Sequence, residues 1–539
     1  MTNDKPAGGY DSTPLPPSSG PTYIVRITFH SATNLPIADF GSGSADPFIL
    51  AQVKTSHKTR HSHDPYLRWR SKTIRKSLEP SWESSWVIAG VPADGLDLSA
   101  RIYDEDPSDH DDRLGKVELH TGNIDEGWKG IKKEEYKVKK TGADLRAYTA
   151  RWVCTVVGKK ELHARLTLSV EVLGKTRKED DVGKAYTINN FWWIHYSPLI
   201  GRLAGVKGKN DKGVEKYNFQ ANELQLTGPV PNELYHRYVE FKTFVGGMFE
   251  ATGLRGRLLN KALHHQHERI YNFDRQTKYD KDQDSTQKEL TLKFLEMCHY
   301  DQGGRIFTYV LTLDGLLRFT ETGKEFGIDL LSKHTMHSDV NRYIAWSGEF
   351  LIRRLVHPEE SSTATHPPDP VSGGPPKDDP PKDPSRYELI IDNDSGTYRP
   401  DKKFIPVLTD FLKKNFVGMR VRVMACDDDK LSKIKDDQRK VKSKEGDHMV
   451  FGQTSSVSSL ADGDGGSISS SDEEDLERRA REQDEAQGEG TTKGKLDKGV
   501  EALENPKDTL KEAVDGVKDK SGRTGKKERE QAEERDDQA

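Results

Sequence analysis

Cysteine is scarce in this chain of 539 residues: Cys154, Cys298 and Cys426 are odd in number and far apart. Such a set does not make a disulfide framework and fits a reducing compartment. No run approaches the ~20 consecutive apolar residues that a bilayer-spanning helix needs. The opening Met1-Thr2-Asn3-Asp4-Lys5 has no apolar core of the signal-peptide kind. These absences together predict a cytosolic protein, with any membrane contact peripheral. Aromatic residues make up only 8% and hydrophobic residues 33%, against 32% charged, for a mean hydropathy of -0.82. A chain this polar cannot be packed throughout, so part of it is expected to stay disordered. The net charge of -5 says little, and basic residues are interspersed with acids, so no nucleic-acid partner is expected.

What the chain does have is aspartate on turns. Asp104, Asp106 and Asp112 follow the apolar strand pattern of Leu98 to Tyr103 and end at Leu114-Gly115. Unpaired, these acids repel one another, and Glu105, Asp109 and Asp111 add to the charge of the loop tip. Hard cations such as Ca²⁺ take 6–8 oxygens at roughly 2.3–2.6 Å, carboxylates above all. A second acidic loop lies upstream, where Asp39 and Asp46 bracket a Gly/Ser turn before strand pattern resumes at Phe48. Short strand patterns separated by turns (Thr22–Phe29, Phe48–Val53, Trp69–Ile74, Trp82–Ile88, Leu98–Tyr103, Lys116–Leu119, Ala147–Val157, Leu162–Leu173) predict a β-sandwich.

Leu35, Asp39, Ala45-Asp46-Pro47-Phe48, Leu78-Glu79-Pro80-Ser81-Trp82 and the Asp104, Asp106, Asp112, Leu114-Gly115 pattern resemble the C2 family over residues 21–174. The resemblance implies an antiparallel β-sandwich that binds Ca²⁺ through Asp39, Asp46, Asp104, Asp106 and Asp112. It also implies an anionic phospholipid membrane as partner. One strand precedes loop one and a strand pair follows the 140s, which points to the permuted C2 topology, with loop one joining the first two strands. Phe40 on loop one either enters the headgroup layer or packs on its own loop. Lys54, Lys58, Arg60, Arg68, Arg70, Lys72, Arg75 and Lys76 gather around the second to fourth strands. In related C2 domains a basic face here meets phosphoinositides, so Lys58, Arg70, Lys72, Arg75 and Lys76 are the expected lipid contacts. An ordinary solvated face is the alternative. His61 to Leu67 interrupt the expected hairpin.

Residues 1–20 read as a disordered leader and Lys175–Lys184 as a charged linker. An α+β domain is expected over residues 175–450. Its pieces are a strand at Phe191–Tyr196, helices at Asn232–Phe249, Leu254–Asn272 and Gln287–His299, and a hairpin turned by Asp314-Gly315. A second hairpin is read around Ser347-Gly348. Pro358–Ser385 is too proline-rich to pack and reads as a disordered insertion. The strand-like Glu349–Leu355 and Arg386–Ile391 on either side should then pair, with the helix Asp401–Phe416 packed on them. The element order loosely resembles the unassigned region of plant calmodulin-binding proteins with an IQ motif, through Ser332–Ser338 and Asp394–Pro400. The whole chain resembles uncharacterised fungal C2-domain proteins, which supplies no activity.

A histidine metal site would need several of His264, His265, His267, His299, His334 and His337 to converge, and no thiol pair or His-Glu-x-x-His accompanies them. A hydrolase reading uses His334 or His337 with Ser338 and Asp339, without a Gly-x-Ser-x-Gly elbow or a Gly-rich phosphate loop. The expected function is therefore Ca²⁺-dependent phospholipid binding in a targeting or scaffold role. The alternative is a lipid- or phosphate-processing enzyme that the first domain delivers to membranes. Residues 451–539 read as a disordered charged tail open to protein partners, with an acidophilic-kinase-like run at Ser469–Asp475.

Overall fold

The computed structural model describes residues 11–15, 20–38, 43–61, 64–105, 111–139, 163–197, 207–209, 215–217, 219–237, 277–279, 286–322, 343–355, 380–395 and 398–445. All of them belong to one compact unit, Met1–Phe241 with Gly247–Asp462.

The first part is a two-sheet sandwich. Strands β1 (Thr22–Thr33), β2 (Pro47–Thr55), β3 (Leu67–Arg70), β4 (Ser81–Pro92), β5 (Leu96–Asp104), β6 (Asp112–His120), β7 (Ile131–Lys137), β8 (Arg165–Lys175) and β9 (Tyr186–Thr187) follow in chain order. One sheet runs β7-β8-β1-β4-β9 and the other β3-β2-β5-β6. Every pairing in both is antiparallel. Alternation drives this: Val25, Ile27 and Phe29 are buried between half-exposed Arg26 and Thr28. Between the sheets, Phe29 stacks on Trp69 at 5.1 Å and Trp69 on Trp86 at 6.3 Å. Loop one joins β1 to β2, and β8 returns to pair with β1 in the register Ile27↔Val170. The expected strand at Ala147–Val157 lies outside the described residues.

The charged stretch after β8 does more than link. It carries a short 3₁₀ turn at Lys178–Asp180 and returns as β9 to the edge of β4, where Thr187 Oγ1 accepts from Trp86 Nε1 at 3.0 Å.

The second part is strand-rich with few helices. After β9 come β10 (Trp192–Ser197), β11 (Phe219–Gln225), β12 (Ile306–Leu311), β13 (Leu316–Thr322), β14 (Trp346–Arg354), β15 (Tyr387–Ile391) and β16 (Arg420–Val423). With Lys278–Tyr279 at one edge, they form an eight-stranded sheet in the order β10-β11-β13-β12-β14-β15-β16. Only β15–β16 is parallel.

Helices α1 (Gln287–Met297) and α2 (Ile405–Asn415) lay Phe294, Leu408, Phe411 and Leu412 on one sheet face, which also carries Phe350, Ile352, Leu389 and Ile391. Thr286 and Glu289 close a capping box at the start of α1. Helix α3 (Asp429–Glu445) packs Leu431 against Leu351 and Ile390, which alternate to the opposite face.

The Asp314-Gly315 hairpin forms as read, with Gly315 at φ 85°. So does the pairing of Glu349–Leu355 with Arg386–Ile391, in the register Leu351↔Ile390. The intervening residues 356–379 lie outside the described residues. Two readings need correction. Ser347-Gly348 is no turn: β14 runs straight through it, paired with Val310 and Tyr309. The glycine serves close approach instead, since a Cβ there would run into Asp392. Asn232–Arg237 is not helical but a turn followed by the bridge His236↔Ile344, and its helical spacing gives way to the partners around it. Residues 238–276 lie outside the described residues.

Candidate functional site

Sheet register brings the acidic loops together. On β5, Asp104 faces Pro47 of β2 on one side and Asp112 of β6 on the other. Asp46, one residue before β2, donates its backbone N–H to Asp104 Oδ1, and Glu105 donates its own to the Asp46 carbonyl at 3.1 Å. Asp46, Asp104 and Asp112 thus occupy neighbouring strand ends at one end of the sandwich, and Asp46 and Asp104 are almost fully buried. Asp39, Phe40 and Asp106 lie outside the described residues. The family markers shape this end: the Leu35 N–H donates to the Leu78 carbonyl at 3.0 Å, and Trp82 is buried in the core.

Glu105, read from the sequence as part of a repelling loop tip, is the residue that sequence reasoning placed least well. Its carboxylate is fully buried and holds two arginines: Arg70 Nη2 to Oε2 at 3.0 Å and Arg75 Nη2 to Oε1 at 2.5 Å. Thr73 also donates its hydroxyl to it. Burial alone would push the Glu105 carboxyl up, but the charges of Arg70 and Arg75 and the Thr73 hydrogen bond bring it below the ordinary carboxylate range. The Arg70 guanidinium carbon lies over Phe48, 3.7 Å from the ring centre. Arg75 also reaches Asp46, Nη1 to Oδ2 at 3.2 Å, while Asp46 Oδ1 accepts the Lys76 N–H at 2.7 Å. The signal was present as Arg70, Thr73 and Arg75 in one short stretch. What it lacked was the knowledge that Glu105 points inward.

The basic residues therefore divide into three groups. Lys54, Lys58 and Lys76 are exposed and Lys72 is half-buried. Arg70 and Arg75 turn into the acidic bay. Arg60 and Arg68 face the second part of the chain: Arg60 donates to the Asn232 carbonyl at 2.7 Å and covers the Tyr235 ring at 4.5 Å, and Arg68 lies 4.0 Å from Asp314. The inserted segment contributes too. His61 stacks on Tyr343 at 4.6 Å, and Asp64 accepts the Tyr235 hydroxyl proton.

For a hard cation, the test is the donor set. Asp46, Asp104 and Asp112 offer only oxygen, which suits Ca²⁺ and not a soft metal. Among the described residues no group of three or more His, Cys, Asp or Glu stands ready to hold a metal ion. In this geometry Asp46 is engaged by Arg75. Of the histidines weighed for other chemistry, His299 is half-buried with Nε2 3.1 Å from Gln220 Oε1, and desolvation pushes its pKa down to about 3. The other histidines of that set, with Ser338 and Asp339, lie outside the described residues. The Asp392–Pro400 loop is held by structural bonds: Asp392 Oδ1 accepts the Glu349 N–H at 2.7 Å, and Lys435 pairs with Asp392 and Glu349.

The profile of the C2 domain family matches residues 23–137. Residues 23–137 form a C2 domain. Human extended synaptotagmin-3 is 28% identical over 107 residues, 19% of this chain and 11% of that protein. Mouse RasGAP-activating-like protein 1 is 34% identical over 97 residues, 18% and 11%. Protein C2-DOMAIN ABA-RELATED 1 of Arabidopsis thaliana is 25% identical over 99 residues, 18% and 51%. The chain thus spans about a tenth of the first two relatives and about half of the third. Among solved structures, a single C2 domain of plant extended synaptotagmin 1 is similar with TM-score 0.22 and 17% identity, covering 30% of this chain and all of that one. Among the described residues no helix is long and apolar enough to cross a membrane.

Proposed function

We propose that this protein is a peripheral membrane protein whose C2 domain, in the permuted topology, binds anionic phospholipid in a Ca²⁺-dependent manner. The observation that carries the reading is the register that sets Asp104 beside Asp112 and within a hydrogen bond of Asp46. Asp46, Asp104 and Asp112, completed by Asp39 and Asp106, would hold the ion. Ca²⁺ when bound supplies positive charge and open coordination positions for phosphate oxygens. The chain's own part is to gather the carboxylates where strand ends fix them, so that the loop end is anionic without metal and repels an anionic surface. Phe40 then has an apolar side chain to offer the headgroup layer, and Lys72 and Lys76 flank the bay, while Lys58 lies beyond the opposite end of β2, past the Thr55↔Leu96 pair. Residues 175–450 are read as an α+β domain with 358–385 inserted, placed at the membrane by the C2 domain in a targeting or scaffold role in the cytoplasm. The tail from 451 onward is offered to protein partners.

The test is replacement of Asp46 and Asp104 by Asn, which keeps shape and removes charge. Sedimentation with phosphatidylserine vesicles should lose its Ca²⁺ dependence while the circular dichroism spectrum is kept. Equal Ca²⁺ titration curves for the two proteins would sink the proposal.

A further inference from the structure

The arginine at the mouth of the acidic bay does something that a plain Ca²⁺ site does not require. Asp46 has committed Oδ1 to the Lys76 backbone N–H at 2.7 Å. Its second oxygen, Oδ2, is the one Arg75 holds, at 3.2 Å, long for a charge-assisted bond. The same guanidinium is anchored firmly at its other arm, 2.5 Å from Glu105 Oε1. Exposure falls off steeply along this chain of contacts: the Arg75 side chain is 32% exposed, Asp46 4% and Glu105 0%. Arg75 is thus hinged on a buried carboxylate, with its other arm resting on a candidate metal ligand.

Resting on the Ca²⁺ reading of this site, we propose that Arg75 is a tethered competitor for the metal, which must leave Asp46 Oδ2 before a divalent cation takes that oxygen and then pairs with a phosphate of the lipid headgroup. A cation ligated by Oδ2 would sit about 2.3–2.6 Å from it. A guanidinium on the same oxygen would place like charges side by side in a half-buried pocket, so the two occupants exclude one another. Glu105 keeps the displaced arginine at the rim instead of releasing it to solvent, and Arg70 completes the neutralisation of Glu105 meanwhile. An arginine held there offers two N–H groups to a phosphate, the geometry this side chain matches best. Metal entry and headgroup capture would share one side chain. The protein would need more Ca²⁺ in solution than its carboxylates alone demand, and would recover the difference at an anionic surface.

Two binding measurements on the full chain separate the halves of this proposal. Calorimetric titration with Ca²⁺ alone should show Arg75→Gln binding about five- to tenfold more tightly than the wild type, within the usual range of coupled binding. With Ca²⁺ saturating, the same variant should bind phosphatidylserine vesicles more weakly. Arg75→Lys, a smaller change that keeps the charge but cannot bridge both carboxylates, should move the Ca²⁺ affinity the same way by less, and covers the case in which the Gln variant unfolds. Unchanged or weaker Ca²⁺ binding in both variants, with Asp46→Asn abolishing it, overturns the competitor and leaves the Ca²⁺ reading intact. No Ca²⁺ binding in the wild type or in either variant overturns the underlying reading instead. Soluble glycerophosphoserine at the same phosphate concentration should not replace vesicles. Equal binding of it by the wild type would overturn the membrane half.

Discussion

Replacing Glu105 by Gln removes one charge from a fully buried carboxylate and leaves Arg70 and Arg75 facing each other across a neutral amide. Breaking a buried ion pair by removing one partner costs about 3–5 kcal/mol. Here the arginine side chains are 15% and 32% exposed and recover some hydration, so about 2–3 kcal/mol is expected at pH 7. For a folded unit of this size that corresponds to a fall of roughly 2–5 °C in the unfolding midpoint. The pH dependence has a fixed sign. Glu105 is held below its ordinary value of 4.5 in the fold, so its contribution is complete above that pH and is lost as pH falls through the folded-state value. The gap between wild type and Glu105→Gln should be full at neutral pH and close below 4.5. Thermal and urea unfolding at pH 7, 5 and 3.5 measures it. Equal midpoints at pH 7, or a gap that ignores pH, would refute the assignment of Glu105 as a buried structural acid.

Two further outcomes follow from other parts of the chain. Changing Lys58, Lys72 and Lys76 together to Ala should weaken Ca²⁺-independent sedimentation with polyphosphoinositide vesicles, by up to about 1 kcal/mol per lysine at low salt and less at high salt. Unchanged binding would make this a solvated face. Replacing 358–379 by a short Gly/Ser linker should leave the unfolding free energy within about 1 kcal/mol, because closure cost changes by only ~0.6 kcal/mol per doubling of loop length. Residues 380–385 are kept because Pro384 is buried and the Pro381 carbonyl accepts the Tyr387 hydroxyl. A large loss would give the segment a packed role.

The sandwich was legible because each of its clearest strands alternates. Val25, Ile27 and Phe29 in β1 and Leu98, Ala100 and Ile102 in β5 announce one buried face apiece. Strand β7, Ile131–Lys137, was not legible: it reads as a run of charged residues, with the pairing supplied by β8. Helix α3 was missed for a similar reason, since Leu431, Gln438 and Val441 are its few buried residues in a largely charged sequence. At the site, the aspartates could be placed from the loops, but the destination of the arginines could not. Arg60, Arg70 and Arg75 look alike in sequence, and only tertiary partners decide which serves Asn232 and Tyr235 and which serves Glu105. Ser347-Gly348 carried a turn signal that was in truth a clearance for Asp392.

Ca²⁺-dependent attachment to anionic membranes can be read in one experiment. Its most direct test is sedimentation of the full chain with phosphatidylserine-containing and phosphatidylcholine-only vesicles, across a Ca²⁺ titration and after chelation. Pelleting should require phosphatidylserine, rise with Ca²⁺ and be reversed by chelator. Pelleting that is the same with and without Ca²⁺, or absent at millimolar Ca²⁺, would contradict it.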